Sequence, residues 1–147
     1  MKNWSGSFKF VLSLIIGLTL IQAISTDNPS EPNQMKIRIG STVFTATLED
    51  NETAAAFRKR LPVTLQMVEL NGNEKYADLD AGIPVHPSNP GTIHSGDLMM
   101  YGSSTVVLFY KTFSTGYRYT RLGRISDVKG LEATLGREDV TVTFESE

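Results

Sequence analysis

The chain has 147 residues, 40% hydrophobic and 20% charged, a composition that suits one globular domain with a real core and excludes general disorder. Its formal charge is −2; without Lys2 and Lys9 the 14 basic residues become 12 against 16 acids, giving −4. A mildly acidic chain of this kind is excluded as a dedicated nucleic-acid binder, which needs a dense basic surface to displace counterions.

The first 25 residues, MKNWSGSFKFVLSLIIGLTLIQAIS, place two lysines before an apolar run from Phe10 to Leu20 and end on small residues at Ala23 and Ser25. This is the layout of a secretory signal peptide. An uncleaved anchor is the competing reading, but Gln22 interrupts the run short of the roughly 20 apolar residues of a spanning helix. The mature chain is therefore expected to start near Thr26, to be periplasmic or extracellular, and to have no stable membrane insertion. With no cysteine to carry a lipid or a disulfide, its packed core alone must hold the fold. TDNPSEPNQ, residues 26–34, reads as a flexible linker, leaving 35–147 as the folded domain.

MKIRI and TVFTATL alternate apolar and polar residues around Gly40-Ser41, which predicts a hairpin. DNETAAAFRKRLP changes to helical character, with Asn51 or Asp50 as cap, Ala54 to Ala56 as propagators, Phe57 and Leu61 as the buried face and Pro62 as the stop. VTLQMVEL and EKYADL read as strands about Asn71-Gly72, and a long loop rich in Gly, Pro, Asn and His follows from Asp80 to Gly96. Within it NPGT predicts a type II turn with Gly91 at positive φ. DLMMY, STVVLFYKTF and GYRYTRLGRI read as further strands, DVKGLEATLG as a short helix capped by Asp127 and ended by Gly136, and VTVTF as the last strand. About eight strands and two short helices predict a mainly β fold: a closed or nearly closed antiparallel barrel with the helices capping its ends.

The N-terminal hairpin and a helix carrying Thr53-Ala54 and Phe57-Arg58 resemble the opening of cyclophilins, and NPGTIHSGDLMMYG, VVLFYK and TRLGRI are similar to small bacterial cyclophilin-like proteins. The likeness runs over nearly all of Met35 to Glu145 and implies the cyclophilin-like barrel. Peptidyl-prolyl cis-trans isomerase activity is the function the wider resemblance implies. The F-H-R-x-x-x-x-F-x-x-Q type segment of isomerising cyclophilins has no counterpart here, the only Trp is Trp4, and Arg58 belongs to the helix match.

Other chemistry has weaker footing. His86, His94 and Asp97 have metal-compatible side chains in no strong ligand spacing, so no metal or cofactor is expected. No G-x-S-x-G presents a nucleophile, and Met67, Met99 and Met100 suit core filling. Arg58, Lys59 and Arg60 suit the last turn of a helix as well as a phosphate, and Glu74, Lys75, Tyr76 and Asp78 suit a pocket wall as well as a hairpin surface.

If Ser114-Thr115-Gly116 closes a hairpin without a bulge, Phe113 faces Tyr117, Lys111 faces Tyr119 and Phe109 faces Arg121. Phe109, Lys111, Phe113, Tyr117, Tyr119 and Arg121 then share one face, joined by Leu98, Met100 and Val107, while Val106, Leu108, Tyr110, Thr120 and Leu122 form the core side. Aromatic bodies with two cations suit an extended peptide or an organic anion. The expected role is that of an exported, monomeric domain binding a peptide segment or a small-molecule ligand, with His94 as a further candidate. A pure sheet-stiffening role competes with it, as does a prolyl isomerase using Arg121 beside Phe109, Phe113 or Tyr119.

Overall fold

The computed structural model describes residues 33–147, so the leader and all but the end of the expected linker lie outside the described residues. Among these, ten strands and two helices follow one another: β1 (Gln34–Ile39), β2 (Thr42–Leu48), α1 (Glu52–Arg58), β3 (Val63–Leu70), β4 (Glu74–Asp78), β5 (Thr92–Ile93), β6 (Asp97–Tyr101), β7 (Thr105–Phe109), β8 (Phe113–Ser114), β9 (Thr120–Ile125), α2 (Leu131–Leu135) and β10 (Val140–Ser146). Gln34, expected to end the linker, already opens β1. Eight strands close an antiparallel barrel in the order β1-β10-β3-β4-β7-β6-β9-β2, and β5 and β8 form a separate two-stranded flap.

Period-two patterning explains the inside of the barrel. Met35, Ile37 and Ile39 of β1, Phe44, Ala46 and Leu48 of β2, Leu65 and Met67 of β3, and Val142 and Phe144 of β10 all point into one buried cluster. α1 seals it with Ala54 and Phe57, whose ring meets Phe144 edge-on at 5.6 Å, and α2 adds Leu131 and Leu135. Each such side chain removed from water is worth about 1.5–3 kcal/mol for a Leu or Phe.

α1 is shorter than its sequence pattern. Asn51 caps it by accepting from the Ala54 amide at 2.7 Å, but the helix stops at Arg58, where the amides of Arg60 and Leu61 turn back to the Phe57 and Arg58 carbonyls. Leu61 still packs against the core from this closing turn. Asp127 does not cap α2. Gly130 holds that position at φ 79°, and the Asp127 carboxylate accepts from the Lys129 amide in a local turn; Gly136 ends the helix as expected. At NPGT, Gly91 has φ 70°, but the Thr92 amide returns to the Pro90 carbonyl, giving a three-residue turn in place of the four-residue one.

The expected hairpin of STVVLFYKTF with GYRYTRLGRI does not form. β7 lies between β4 and β6 and has no free edge, so β9 pairs instead with β6 and β2, while β8 crosses to β5. Residues 116–119 precede β9 as a loop, tied to the Asp80–Gly96 loop by reciprocal backbone bonds between Tyr119 and Ser88 at 2.9 Å. The face assignments change accordingly. Leu98 and Met100 point inward with Val106, Leu108, Tyr110 and Leu122; Met99 takes the outer face with Val107 and Phe109. Between Leu98 and Met99 of β6 the register shifts because β9 carries one extra residue, Leu122, between the partners Gly123 and Arg121.

Closure also depends on a close approach. A Cβ at Gly123 would press on the Thr47 carbonyl and lie 3.0 Å from the Leu48 Cα, so only glycine lets β9 come this near to β2. Leu108→Ala and Leu122→Ala should each cost about 2–5 kcal/mol, and Gly123→Ala should also lower the denaturant midpoint by separating two barrel strands. Arg121→Ala should cost about 1 kcal/mol or less, since its side chain is 42% exposed. Urea unfolding followed by circular dichroism gives this ranking.

Candidate functional site

Among the described residues, two clefts are candidate sites. The larger, about 890 Å³, lies beside α2 and is lined in part by Glu69, Tyr110, Lys111, Glu132 and Arg137. Its chemistry is internally paired. Lys75, on the inner face of β4 and fully buried, donates to Glu69 at 3.1 Å and to the carbonyls of Gly136 and Glu138 at 2.9 and 2.7 Å, with its ammonium 5.5 Å from the Tyr110 ring centre. The Tyr110 hydroxyl donates to the same Glu69 oxygen as Lys75. Burial opposes ionisation of Glu69, but the bonds from Tyr110, Lys75 and the Gly72 amide outweigh it and hold the carboxyl below its ordinary range; burial and Glu69 together keep the Tyr110 proton on. Lys111 reaches across to Glu132 at 2.6 Å. This network ties the α2–β10 connection to the barrel end.

The second cleft, about 620 Å³, lies on the outer wall. Its base is an apolar patch under the flap: Met99, Val107, Phe109 and Ile93 are buried together with Tyr119, and Tyr76 and Phe113 pack at the margin. The rings meet edge-on or tilted, with Phe109 5.7 Å from Phe113 and 5.5 Å from Tyr119, and Tyr101 5.7 Å from Tyr119 and 6.3 Å from Tyr117. Tyr117 and Tyr101 remain 66% and 49% exposed, an unusual amount of aromatic surface at one place. Alternation along β4 sends Glu74, Tyr76 and Asp78 to this cleft and Lys75 and Ala77 to the interior. Glu74 is half-buried, and burial followed by the negative charge of Glu69 raises its pKa above the ordinary glutamate value. Burial and the charge of Glu74 likewise raise the pKa of Tyr119.

The sequence-derived candidates thus divide. Phe113, Tyr117 and Tyr119 line the outer cleft, with Phe109 buried behind them. Lys111 is drawn to the α2 cleft by Glu132, and Arg121 lies 4.0 Å from the buried carboxylate of Asp97, so neither belongs to the aromatic wall. His94 is at Asp97 too, its backbone amide donating to that carboxylate at 2.8 Å, and Arg124 completes the group at 3.0 Å. The two arginines of the basic run at the end of α1 are engaged locally: Arg58 donates to Asn33 at 2.6 Å and Arg60 to Asp80 at 2.9 Å. His86 contacts Glu52 at 3.1 Å, and among the described residues no three His, Cys, Asp or Glu side chains converge as a metal site.

The model of the cyclophilin-like family matches residues 37–145. The chain belongs to the cyclophilin-like family. Among solved structures, this cyclophilin-like barrel is similar to a hypothetical protein from Archaeoglobus fulgidus, known from its solution structure. The two are 17% identical over 78% of this chain and 94% of that one, with a TM-score of 0.52, a likeness of fold. A search of curated proteins gives no match. Membership agrees with the resemblance carried by the TA-x-x-FR helix and TRLGRI, and the outer cleft sits on the wall of the family's barrel.

Lys75→Met would leave the Gly136 and Glu138 carbonyls without their donor and the partly exposed Glu69 without its cation, and should destabilise the fold by about 1–3 kcal/mol. Because the pKa of Glu69 is lowered by folding, its contribution is complete above the ordinary carboxylate pKa and is lost as pH falls through the folded value. Denaturation midpoints across acid pH should decline less steeply for Glu69→Gln than for the parent chain.

Proposed function

We propose that the chain is an exported, monomeric cyclophilin-like binding domain that holds a peptide segment or a small organic ligand in the outer cleft. The observation that carries this reading is the exposure of Tyr101 and Tyr117 on a wall whose other rings are packed and buried. An aromatic side chain left in water beside a cleft offers flat apolar area with little rotamer entropy to lose, the pattern of a ligand surface. A purely stiffening role would be served by Phe109, Phe113 and Tyr119 alone. Export rests on the leader pattern of residues 1–25.

Binding is favoured over catalysis by the location of Arg121. A prolyl isomerase built on this wall with Arg121 as the donor to the prolyl nitrogen needs Arg121 in the cleft, and it is not among the lining residues. Tyr117→Ala and Tyr101→Ala should each weaken binding of a retained ligand by about 1 kcal/mol or more while shifting global stability by about 0.5 kcal/mol or less. Native mass spectrometry of the purified chain identifies the retained ligand, and titration of the variants, with thermal melts alongside, reads both effects. A proline-isomerisation assay should give no rate above the uncatalysed one; a rate abolished by Arg121→Ala would replace this reading by the enzymatic one.

A further inference from the structure

We propose that the outer cleft is selective for an organic cation, an alkylammonium or guanidinium group, whether free or carried on a peptide side chain. This rests on the reading of the cleft as a binding site and specifies its ligand chemistry. It reverses the preference for anions that two cations on the aromatic face would have given.

The charges on the lining carry the inference. Glu74 and Asp78 are its ionisable acids and no basic side chain accompanies them. Asp78 accepts a bond from Thr105 at 2.6 Å, whereas none of the hydrogen bonds or ion pairs among the described residues engages the Glu74 carboxylate. A half-buried carboxylate without a cation is an uncompensated desolvation, and a bound cation would remove it. The rings supply the second half of the recognition. Tyr76, Tyr101, Tyr117 and Tyr119 border the same space, and a cation over an aromatic face is attracted by the negative face of the ring quadrupole. An ammonium bearing methyl groups, or a planar guanidinium, also suits such walls because it is less strongly hydrated than a bare primary ammonium. The cations the sequence offered to this face lie elsewhere: Lys111 pairs with Glu132, Arg121 lies 4.0 Å from Asp97, and Arg118, between Tyr117 and Tyr119, donates to the Pro87 carbonyl at 2.6 Å.

The test compares charged and neutral probes of the same shape on the purified full chain. Choline is titrated against its carbon isostere, in which carbon replaces the quaternary nitrogen, and a capped Gly-Arg-Gly peptide against the corresponding citrulline peptide. Each charged probe is expected to bind about tenfold or more tightly than its neutral partner, and Glu74→Gln should erase about tenfold of that preference. Tyr117→Ala, at an exposed position, should weaken the charged probe about threefold to tenfold without altering the melting temperature. Preference for choline over the arginine peptide would assign the site to a free alkylammonium, and the reverse to a cationic peptide; both support the proposal. Equal binding of charged and neutral probes, still weakened by Tyr117→Ala, would overturn cation selectivity while leaving the cleft a binding site. Lack of binding by all four probes would overturn the cation proposal, and a ligand retained by the chain but indifferent to the tyrosine variants would overturn the site itself.

Discussion

The outer faces of β6 and β7 are apolar, and water must be kept from them. Both strands lie within the barrel and are buried on two sides: Leu98, Met100, Val106 and Leu108 face inward, Met99, Val107 and Phe109 outward. An ordinary barrel wall leaves its outer residues to solvent, and three large apolar side chains there would form a patch that destabilises or aggregates. The β5–β8 flap and the segment leading to Tyr119 supply the cover, with Ile93, Phe113 and Tyr119 laid over the strands. Shielding ends at Tyr101 and Tyr117, and there the cleft begins. The long loop from Asp80 to Gly96 is therefore part of the packing, since it delivers β5 to the outer wall.

Two carboxylates on adjacent strands show how local surroundings decide role. Glu69 of β3 receives Lys75, Tyr110 and the Gly72 amide and is held ionised in a closed network. Glu74 of β4 lies against Leu70 and Phe109 in the strand ladders and gains no such donors. A paired acid that clamps the α2–β10 connection is structural; an unpaired acid beside exposed rings is available to a ligand. Lys75 makes the same point, because its period-two position sends its charge inward, where two backbone carbonyls and Glu69 receive it.

The barrel was legible in the sequence because its strands alternate: MKIRI, TVFTATL and VTVTF each carry one apolar face and pair as that pattern demands. Phe113, Tyr117 and Tyr119 were legible as a group for a related reason, closeness along the chain. Lys111 and Arg121 were misplaced by the assumption that sequential strands pair, which fails when both edges of β7 are occupied by β4 and β6. DLMMY and TVVLF hide their faces because every central residue is apolar, so periodicity cannot separate inside from outside. The alternation of Glu74, Tyr76 and Asp78 with Lys75 and Ala77 was the available signal for the acidic side of the cleft. Tyr101 carried none, as its role arises from its proximity to Tyr117 and Tyr119.

The five tyrosines of the chain provide the most direct measurement of the central claim, that the outer aromatic wall is where ligand is held. Tyr76, Tyr101, Tyr117 and Tyr119 line the outer cleft, while Tyr110 lies in the α2 cleft as an internal reference. Carbon-13 labelling of the tyrosine rings, followed by NMR titration of the full chain with the ligand retained on purification, should shift the resonances of Tyr101, Tyr117 and Tyr119 together and leave Tyr110 in place. A shift confined to Tyr110, with the other four unmoved, would contradict the account and move the site to the α2 cleft.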